Sequence, residues 1–392
     1  MKILYLHANA ELYGSDLILL QLVTYLDKTR YEPIVFLPVN GPLIERLREA
    51  GIRTMIMPLA VLRRAHFTPS GVIRFVTVLM KSVSNLRRFI LKERIALVHT
   101  NTGAVWGGEL AAAITGIPHV SSVMEIVEKP KIVSLAMSWM VSAFSDQVIT
   151  VSGAVRDHFI KYTPWWREKY IEMFPPVDTV RFSPDENARK IIRSHLGIDE
   201  NTVLVGMAGR LNHWKGQDVF VRACKEVMKM LDYKSDVHFV ILGGPVPGRE
   251  EFVHQLHRDI EELGLVNVVT APGFQENITD WLSAMDVFVL PSKLPEPSST
   301  GVVAAMAMGL PVVGTNIGGT PETVLDGETG FLVPPNDPKS LAEKISLLVK
   351  DSEMRRSMGA KAMERARKLY SIESYVGKVM AIYDDLLQNT RK

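Results

Sequence analysis

One cysteine, Cys224, is all that 392 residues carry, so no disulfide can close within the chain, and the thiol fits a reducing compartment. It lies in the helical pattern QDVFVRACKEVMKM, where a buried structural thiol is the expectation. Long apolar runs are also missing. The longest, IVSLAMSWMVSAF, falls well short of the roughly 20 residues that span a bilayer. The opening MKILYLHANA has a single lysine and an apolar run too short for a signal sequence, so it reads as a first buried strand. A soluble, cytoplasmic chain is expected, one that touches a membrane at most from its cytoplasmic face. Net charge is low, +2, which gives no ground for a nucleic-acid partner. The sequence shows no short internal repeat and no low-complexity tract.

Composition is ordinary for a globular protein, with 47% hydrophobic and 22% charged residues, and the length suits two domains rather than one core. Charge is uneven: residues up to about 190 carry roughly six excess positive charges, and the remainder a small negative excess.

Short apolar runs recur along the whole chain. KILYLHA, PIVFLPV, TMIMPL, ALVHT, HVSSV and QVITVS occupy the first half, and VLVGMAG, HFVILGG, NVVTAPG, VFVLPS, PVVGTN and GFLVPP the second. Continuous apolar runs suit strands buried on both faces, and the amphipathic stretches between them suit covering helices, which is the pattern of α/β parallel sheets. The Pro- and polar-rich FPPVDTVRFSPDENARK marks the break. The expected division is an N-terminal domain of residues 1–182 with a returning C-terminal helix, 372–392, and a second domain of 183–371. Two doubly wound domains would face one another across a cleft at the carboxyl ends of their strands, where ligands bind such sheets.

Three segments carry candidate chemistry. In VGMAGRLNHWKGQDVF a buried strand ends at Gly209-Arg210, and Lys215 precedes a helix. Two cations five positions apart on one strand-end loop can grip a diphosphate, Arg as a planar fork and Lys as a point charge; two solvated loop charges are the plainer reading. In PSKLPEPSSTGVVAAMAMG a helix is expected to start near Ser298 or Ser299, where the N–H groups around Ser298, Ser299 and Thr300 would suit a phosphate. Ser299 and Thr300 serve equally as N-caps. Glu296 stands just before that helix, where a carboxylate suits sugar hydroxyls or positive charge at a reacting carbon. In AELYGSDLILL, Gly14-Ser15 opens the first helix, as a second phosphate-compatible start or simply a turn.

Taken together, GRLNHWKG, PEP…AAMAMGLPVV, GTNIGGTPETVLDGETGFLVPPND and YGSD resemble the retaining glycosyltransferases of family 4, in the family's order and over nearly the whole chain. The resemblance implies a GT-B fold of two Rossmann-like domains facing an interdomain cleft. It implies a nucleotide-diphosphate sugar as substrate, UDP- or GDP-linked, and a glycan or lipid-linked acceptor in polysaccharide or glycoconjugate synthesis. By that resemblance Arg210 and Lys215 bind the diphosphate and Glu296 meets the transferred sugar. Ser298 to Thr300 contact the distal phosphate, Gly14 closes over it, and Gly273-Phe274 line the base. No cofactor and no metal are implied, in keeping with the lack of a DxD-type or Cys/His cluster in the sequence.

Two positions depart from the family pattern. The second glutamate of the motif, eight residues after Glu296, is Ala304. Loss of that ribose-holding carboxylate is worth about 1–3 kcal/mol, roughly ten- to a hundredfold in affinity. The histidine expected after IPHV is Met124, with Glu125 beside it. Met124 reads as packing, and Glu125 is an acceptor-side candidate together with His99, for which a structural role is the alternative. These departures keep one rival open, a catalytically silent GT-B scaffold; a nucleotide-sugar epimerase built on a related fold is a third reading. A basic amphipathic stretch, 81–95, is either an ordinary packed helix or a contact for an anionic membrane surface. Basic residues also gather at 61–67.

Overall fold

The computed structural model describes every residue except 234–236, 246–247 and 390–392. From the N-terminus the elements are β1 (Lys2–His7), α1 (Gly14–Tyr25), β2 (Glu32–Leu37), α2 (Pro42–Glu49), β3 (Arg53–Ile56), β4 (Ala60–Val61), α3 (Pro69–Glu93), β5 (Leu97–Asn101), β6 (Val105–Trp106), α4 (Gly108–Thr115), β7 (His119–Val123), α5 (Lys131–Phe144), β8 (Gln147–Thr150), α6 (Gly153–Ile160) and β9 (Tyr170–Glu172). They continue as α7 (Glu186–His195), β10 (Val203–Ala208), α8 (Gln217–Met230), β11 (Val237–Leu242), α9 (Glu251–Glu262), β12 (Val269–Gly273), α10 (Ile278–Ala284), β13 (Val287–Leu290), α11 (Thr300–Ala307), β14 (Val312–Thr315), α12 (Thr320–Thr323), β15 (Gly330–Val333), α13 (Pro338–Lys350), α14 (Ser352–Tyr370) and α15 (Ile372–Asn389).

Two compact units result. Unit 1 comprises Met1–Pro176 with Ile372–Lys392, and unit 2 Val177–Ser371. Unit 1 holds a seven-stranded parallel sheet in the order β3-β2-β1-β5-β7-β8-β9, and unit 2 a six-stranded parallel sheet in the order β12-β11-β10-β13-β14-β15. Each of the short apolar runs read as strands overlaps one of these strands, whereas IVSLAMSWMVSAF lies in α5; most strand residues are buried because helices cover both faces. The sequence signal missed the short edge strand β9 and the two-residue antiparallel pair β4–β6.

In unit 1, α1, α2 and α15 cover one face of the sheet, where Ile3 and Tyr5 pack with Leu19, Leu43, Val379 and Tyr383. α3 and α4 cover the other, around Leu4, Leu6, Leu86 and Ile90. The last helix is therefore built into the first unit, and Asp384 on it receives hydrogen bonds from Arg30 and Tyr31. In unit 2 the core gathers Val205, Phe239, Val289 and Val313 with α8 and α13. Cys224 lies in that core, where burial pushes its thiol pKa well up and leaves it inert.

Candidate functional site

The strand order of unit 2 fixes where a ligand fits. From β10 the chain steps outward to β11 and β12, then returns to the other side of β10 through β13, β14 and β15. The direction reverses between β10 and β13, and crevices of doubly wound sheets open at such a switch, beyond the carboxyl ends of the strands. The loops leaving those two strands are 209–216 and 291–299, which hold Gly209, Arg210, Lys215, Glu296, Ser298 and Ser299.

Backbone contacts lock the two loops together. Gly216 has φ +76° and lies so near Pro291 that a Cβ would stand 1.9 Å from its carbonyl oxygen, so only glycine serves. Lys293 N–H donates to Trp214 O at 2.7 Å. The Asn212 carboxamide oxygen accepts from the N–H groups of Trp214 and Lys215, at 3.1 and 3.0 Å, an Asx turn that aims the Lys215 side chain. Lys215 then lies along Gly209, its Cδ 3.6 Å from where a Cβ would be. Behind Glu296, Gly319 N–H donates to Glu296 O at 2.8 Å, and Gly318 (φ +62°) would set a Cβ 2.3 Å from the same oxygen.

These constraints bring Lys215 and Glu296 into contact. The ammonium is 2.8 Å from Oε1 and 2.9 Å from Oε2 of Glu296, a residue only 6% exposed. Ser292 Oγ donates to Oε1 at 2.8 Å, and Ser292 O accepts from Thr315 Oγ1 at 2.9 Å. Arg210 is exposed at the end of β10, and its carbonyl accepts from Gln217 Nε2 at 3.0 Å. α11 begins as the sequence indicates: Ser299 is its N-cap, accepting from Val302 N–H at 3.4 Å, and Thr300 is its first residue. Among the described residues, two buried polar atoms here have no protein partner, Ser298 Oγ and Asn212 Nδ2. Buried polar groups are normally paired, so both suit a polar ligand. Ala304 is buried on α11 and offers only a methyl group. Gly273 (φ +83°) ends β12, and Phe274 beside it is 76% exposed, a large aromatic ring open to solvent. Among the described residues no three His, Cys, Asp or Glu side chains gather to hold a metal ion.

Unit 1 has its own strand-end cluster. Gly14 opens α1, and Asp16 in that first turn accepts from Tyr13 N–H at 2.8 Å and meets His7 Nε2 at 2.5 Å, both side chains fully buried. His7 Nδ1 lies 2.7 Å from Asn101 O, and Asn101 Nδ2 donates to Ser15 O at 3.2 Å. β1, β5 and the start of α1 are thus pinned together. Glu125, after β7, accepts from Gly103 N–H at 3.1 Å and Met124 N–H at 3.0 Å through one oxygen, and burial raises its pKa. Met124 packs against the core, as its apolar side chain suggests.

His99 presents no exposed atom. Nδ1 is 2.5 Å from Tyr383 OH and Nε2 2.7 Å from Ser122 Oγ, and burial holds its pKa down to about 3. Its surroundings match the satisfied structural histidine, because α15 covers the face of β5 on which it lies. Much of the apolar side of 81–95 is packed: Leu86 and Ile90 are buried and Phe89 stands edge-on to Phe36, whereas Leu91 is 55% exposed and faces solvent with Arg87, Arg88 and Lys92. In the basic segment 61–67 the Arg64 side chain lies outside the described residues. Sequence reasoning did not single out Asn212, Ser292, Gly318, His7 or Asp16; only Asn212, an Asx-turn residue ahead of Lys215, carries a local signal.

A pair of parallel doubly wound sheets flanked by helices is the architecture of the GT-B glycosyltransferases. The model of "Glycosyltransferase Family 4" matches residues 14–181, and that of "Glycosyl transferases group 1" matches 188–365. The chain belongs to glycosyltransferase family 4. Among solved structures it is similar to Anabaena HepE in complex with UDP, with TM-score 0.84 and 24% identity over 98% of this chain and 100% of that one. A glycosyltransferase from Rickettsia africae gives TM-score 0.85 and 21% identity over 99% of each chain. Among curated relatives, the lipopolysaccharide core mannosyltransferase LpsB of Rhizobium meliloti is 29% identical over 54% of this chain and 60% of that protein. The D-inositol 3-phosphate glycosyltransferase of Paenarthrobacter aurescens is 35% identical over 50% of this chain and 47% of that protein. The chain thus spans about half to three fifths of the curated relatives it matches.

Proposed function

We propose that this protein is a retaining, metal-independent glycosyltransferase that moves a sugar from a UDP- or GDP-sugar to a glycan or lipid-linked acceptor. The observation that carries the reading is the Lys215–Glu296 pair at the switch point of unit 2, beside the unpartnered Ser298 hydroxyl and Asn212 amide. An arriving diphosphate would draw the Lys215 ammonium and the Arg210 guanidinium, aided by the amides at the start of α11. The carboxylate released from Lys215 would then be available to sugar hydroxyls. Charge developing on the leaving diphosphate is what these groups would stabilise, and such preorganised electrostatics are commonly the largest catalytic term. Gly273 and Phe274 are read as the base-side wall. Gly14 with Ser15, and Glu125, are read as contributions of the acceptor domain, taken as 1–182 with 372–392.

UDP is the first donor to try, because HepE was solved with UDP and with UDP-glucose. The names of the curated relatives, a mannosyltransferase and inositol phosphate glycosyltransferases, support a glycoconjugate acceptor. A reducing compartment, with peripheral attachment at the cytoplasmic membrane face, agrees with the buried thiol and with a fold in which, among the described residues, no helix is long and apolar enough to cross a membrane. With Leu86, Phe89 and Ile90 packed inward, the approach of 81–95 to an anionic surface would rest on Arg87, Arg88, Lys92 and the exposed Leu91. Ala304 favours one rival, a silent scaffold of the same fold. Calorimetric titration with UDP, GDP and ADP tests the reading. Micromolar binding of one diphosphate, lost in Arg210→Ala, is the expected outcome. Binding of none by the intact protein would transfer the assignment to the scaffold.

A further inference from the structure

Unit 1 exposes a tryptophan cluster that neither the sheet nor the strand-end residues account for. Trp139 on α5 and the pair Trp165–Trp166, in the 3-10 turn Pro164–Lys169, surround one another with ring centroids 5.2–6.0 Å apart. Trp139 is 47% exposed and Trp165 56%. α5 continues the patch: Ile132 (69% exposed) and Leu135 (38%) precede Trp139 by seven and four residues, which places all three on one helix face. The opposite face of α5 carries Met137 and Val141 into the core, so the outward stripe is surplus to folding.

The segments that form and flank this patch in sequence carry the exposed cations Lys129, Lys131, Lys161 and Arg167, against the exposed carboxylates Glu128 and Glu168. Lys169 is tied down beneath it, donating to Ser142 O and Ser145 O at 3.0 and 2.8 Å with its ammonium 5.7 Å from the Trp166 ring. Aliphatic side chains and indoles surrounded by Lys and Arg match the depth profile of a bilayer surface: acyl boundary, headgroup level, anionic phosphate. A second copy of this chain fits poorly, because a two-fold contact would set the cationic rim against itself. Nor is there a shared flat platform for a glycan strand, since the three rings lie 62–88° to one another.

We propose that the face formed by α5 and Pro164–Lys169 docks unit 1 onto an anionic lipid surface. The proposal does not depend on the transferase reading and concerns residues remote in sequence from 81–95. Its test uses the full chain and vesicles of phosphatidylcholine with about 30% phosphatidylglycerol. Cosedimentation should exceed that with phosphatidylcholine alone, and brominated acyl chains should quench tryptophan emission. The variant Ile132→Ser/Trp139→Ser/Trp165→Ser should lose roughly tenfold or more in vesicle affinity while melting within a few degrees of wild type, since all three side chains are exposed. Arg87→Ser/Arg88→Ser/Lys92→Ser should keep the quenching. Wild-type protein that ignores both kinds of vesicle overturns the proposal, as does a triple variant that binds like wild type. A solution dimer that the triple variant converts to monomer overturns it in favour of a self-contact.

Discussion

Lys215 places its ammonium within 2.9 Å of both carboxylate oxygens of Glu296, so each group occupies the position from which the other would meet a ligand. The pair is largely shielded from water and supported by Ser292, and removing one partner leaves the other short of compensation. Lys215→Met should weaken diphosphate binding by roughly ten- to a hundredfold, the range for losing a charge-assisted contact. It should also cost about 1–3 kcal/mol of stability through the stranded carboxylate. Adding Glu296→Gln should recover part of that stability and none of the affinity. Calorimetry and thermal melts of the two single variants and the double variant separate the two effects. Additive stabilities would contradict the coupling.

Ser298 and Ser299 are adjacent serines with opposite expectations. Ser299 caps α11, so Ser299→Ala should destabilise the protein by about 0.5–1 kcal/mol whether or not ligand is present. The Ser298 hydroxyl is buried without a protein partner among the described residues, so Ser298→Ala removes an unsatisfied group and should leave the melting temperature unchanged or higher. If a phosphate oxygen or sugar hydroxyl is its partner, the same change should lower nucleotide affinity by roughly tenfold. A Ser298→Ala protein that binds as wild type would assign that hydroxyl no ligand.

Parallel strands and helix starts were legible in the sequence because each depends on neighbouring residues: apolar runs for β1 or β11, small residues ahead of α1 and α11. Lys215 and Glu296 were legible as chemistry on two strand-end loops, though not as partners. Their contact depends on Gly216 against Pro291 and Gly318 against Glu296, which join segments distant in sequence. His99 shows the same limit. It sits at the end of a strand, yet Tyr383, 284 residues further on, closes over it and turns a candidate for chemistry into a core residue. The outer face of α5 was unreadable for the opposite reason: an apolar run such as IVSLAMSWMVSAF does not reveal which of its side chains the fold leaves uncovered.

Ala304 on α11 is the position where a carboxylate would be gained most directly. Ala304→Glu should tighten nucleoside diphosphate binding by roughly ten- to a hundredfold if the ribose hydroxyls lie within reach of that helix. Deoxyuridine diphosphate should gain less than UDP, which separates a ribose contact from a general rise in affinity. Equal gains for both would remove the ribose from the account of this position.

Glu109 supplies a pH signature independent of any ligand. It is buried at the start of α4 with Oε2 unpartnered among the described residues, and burial raises its pKa to about 8, far above the 4.5 of an ordinary glutamate. The unfolded chain releases this proton near pH 4.5, whereas the folded chain holds it until about pH 8. Between those values the folded state binds more protons, so the contribution of Glu109 is full below pH 4.5, declines as pH rises through the window, and levels off above about pH 8. The span corresponds to a loss on the order of 3–5 kcal/mol. Glu109→Gln keeps the neutral shape without the titration. It should match wild type at pH 5 and exceed it by several degrees in melting temperature at pH 9. Parallel pH profiles for the two proteins would mean that the carboxyl is already ionised in the folded state at neutral pH, with a cation or water beside it that burial alone does not provide.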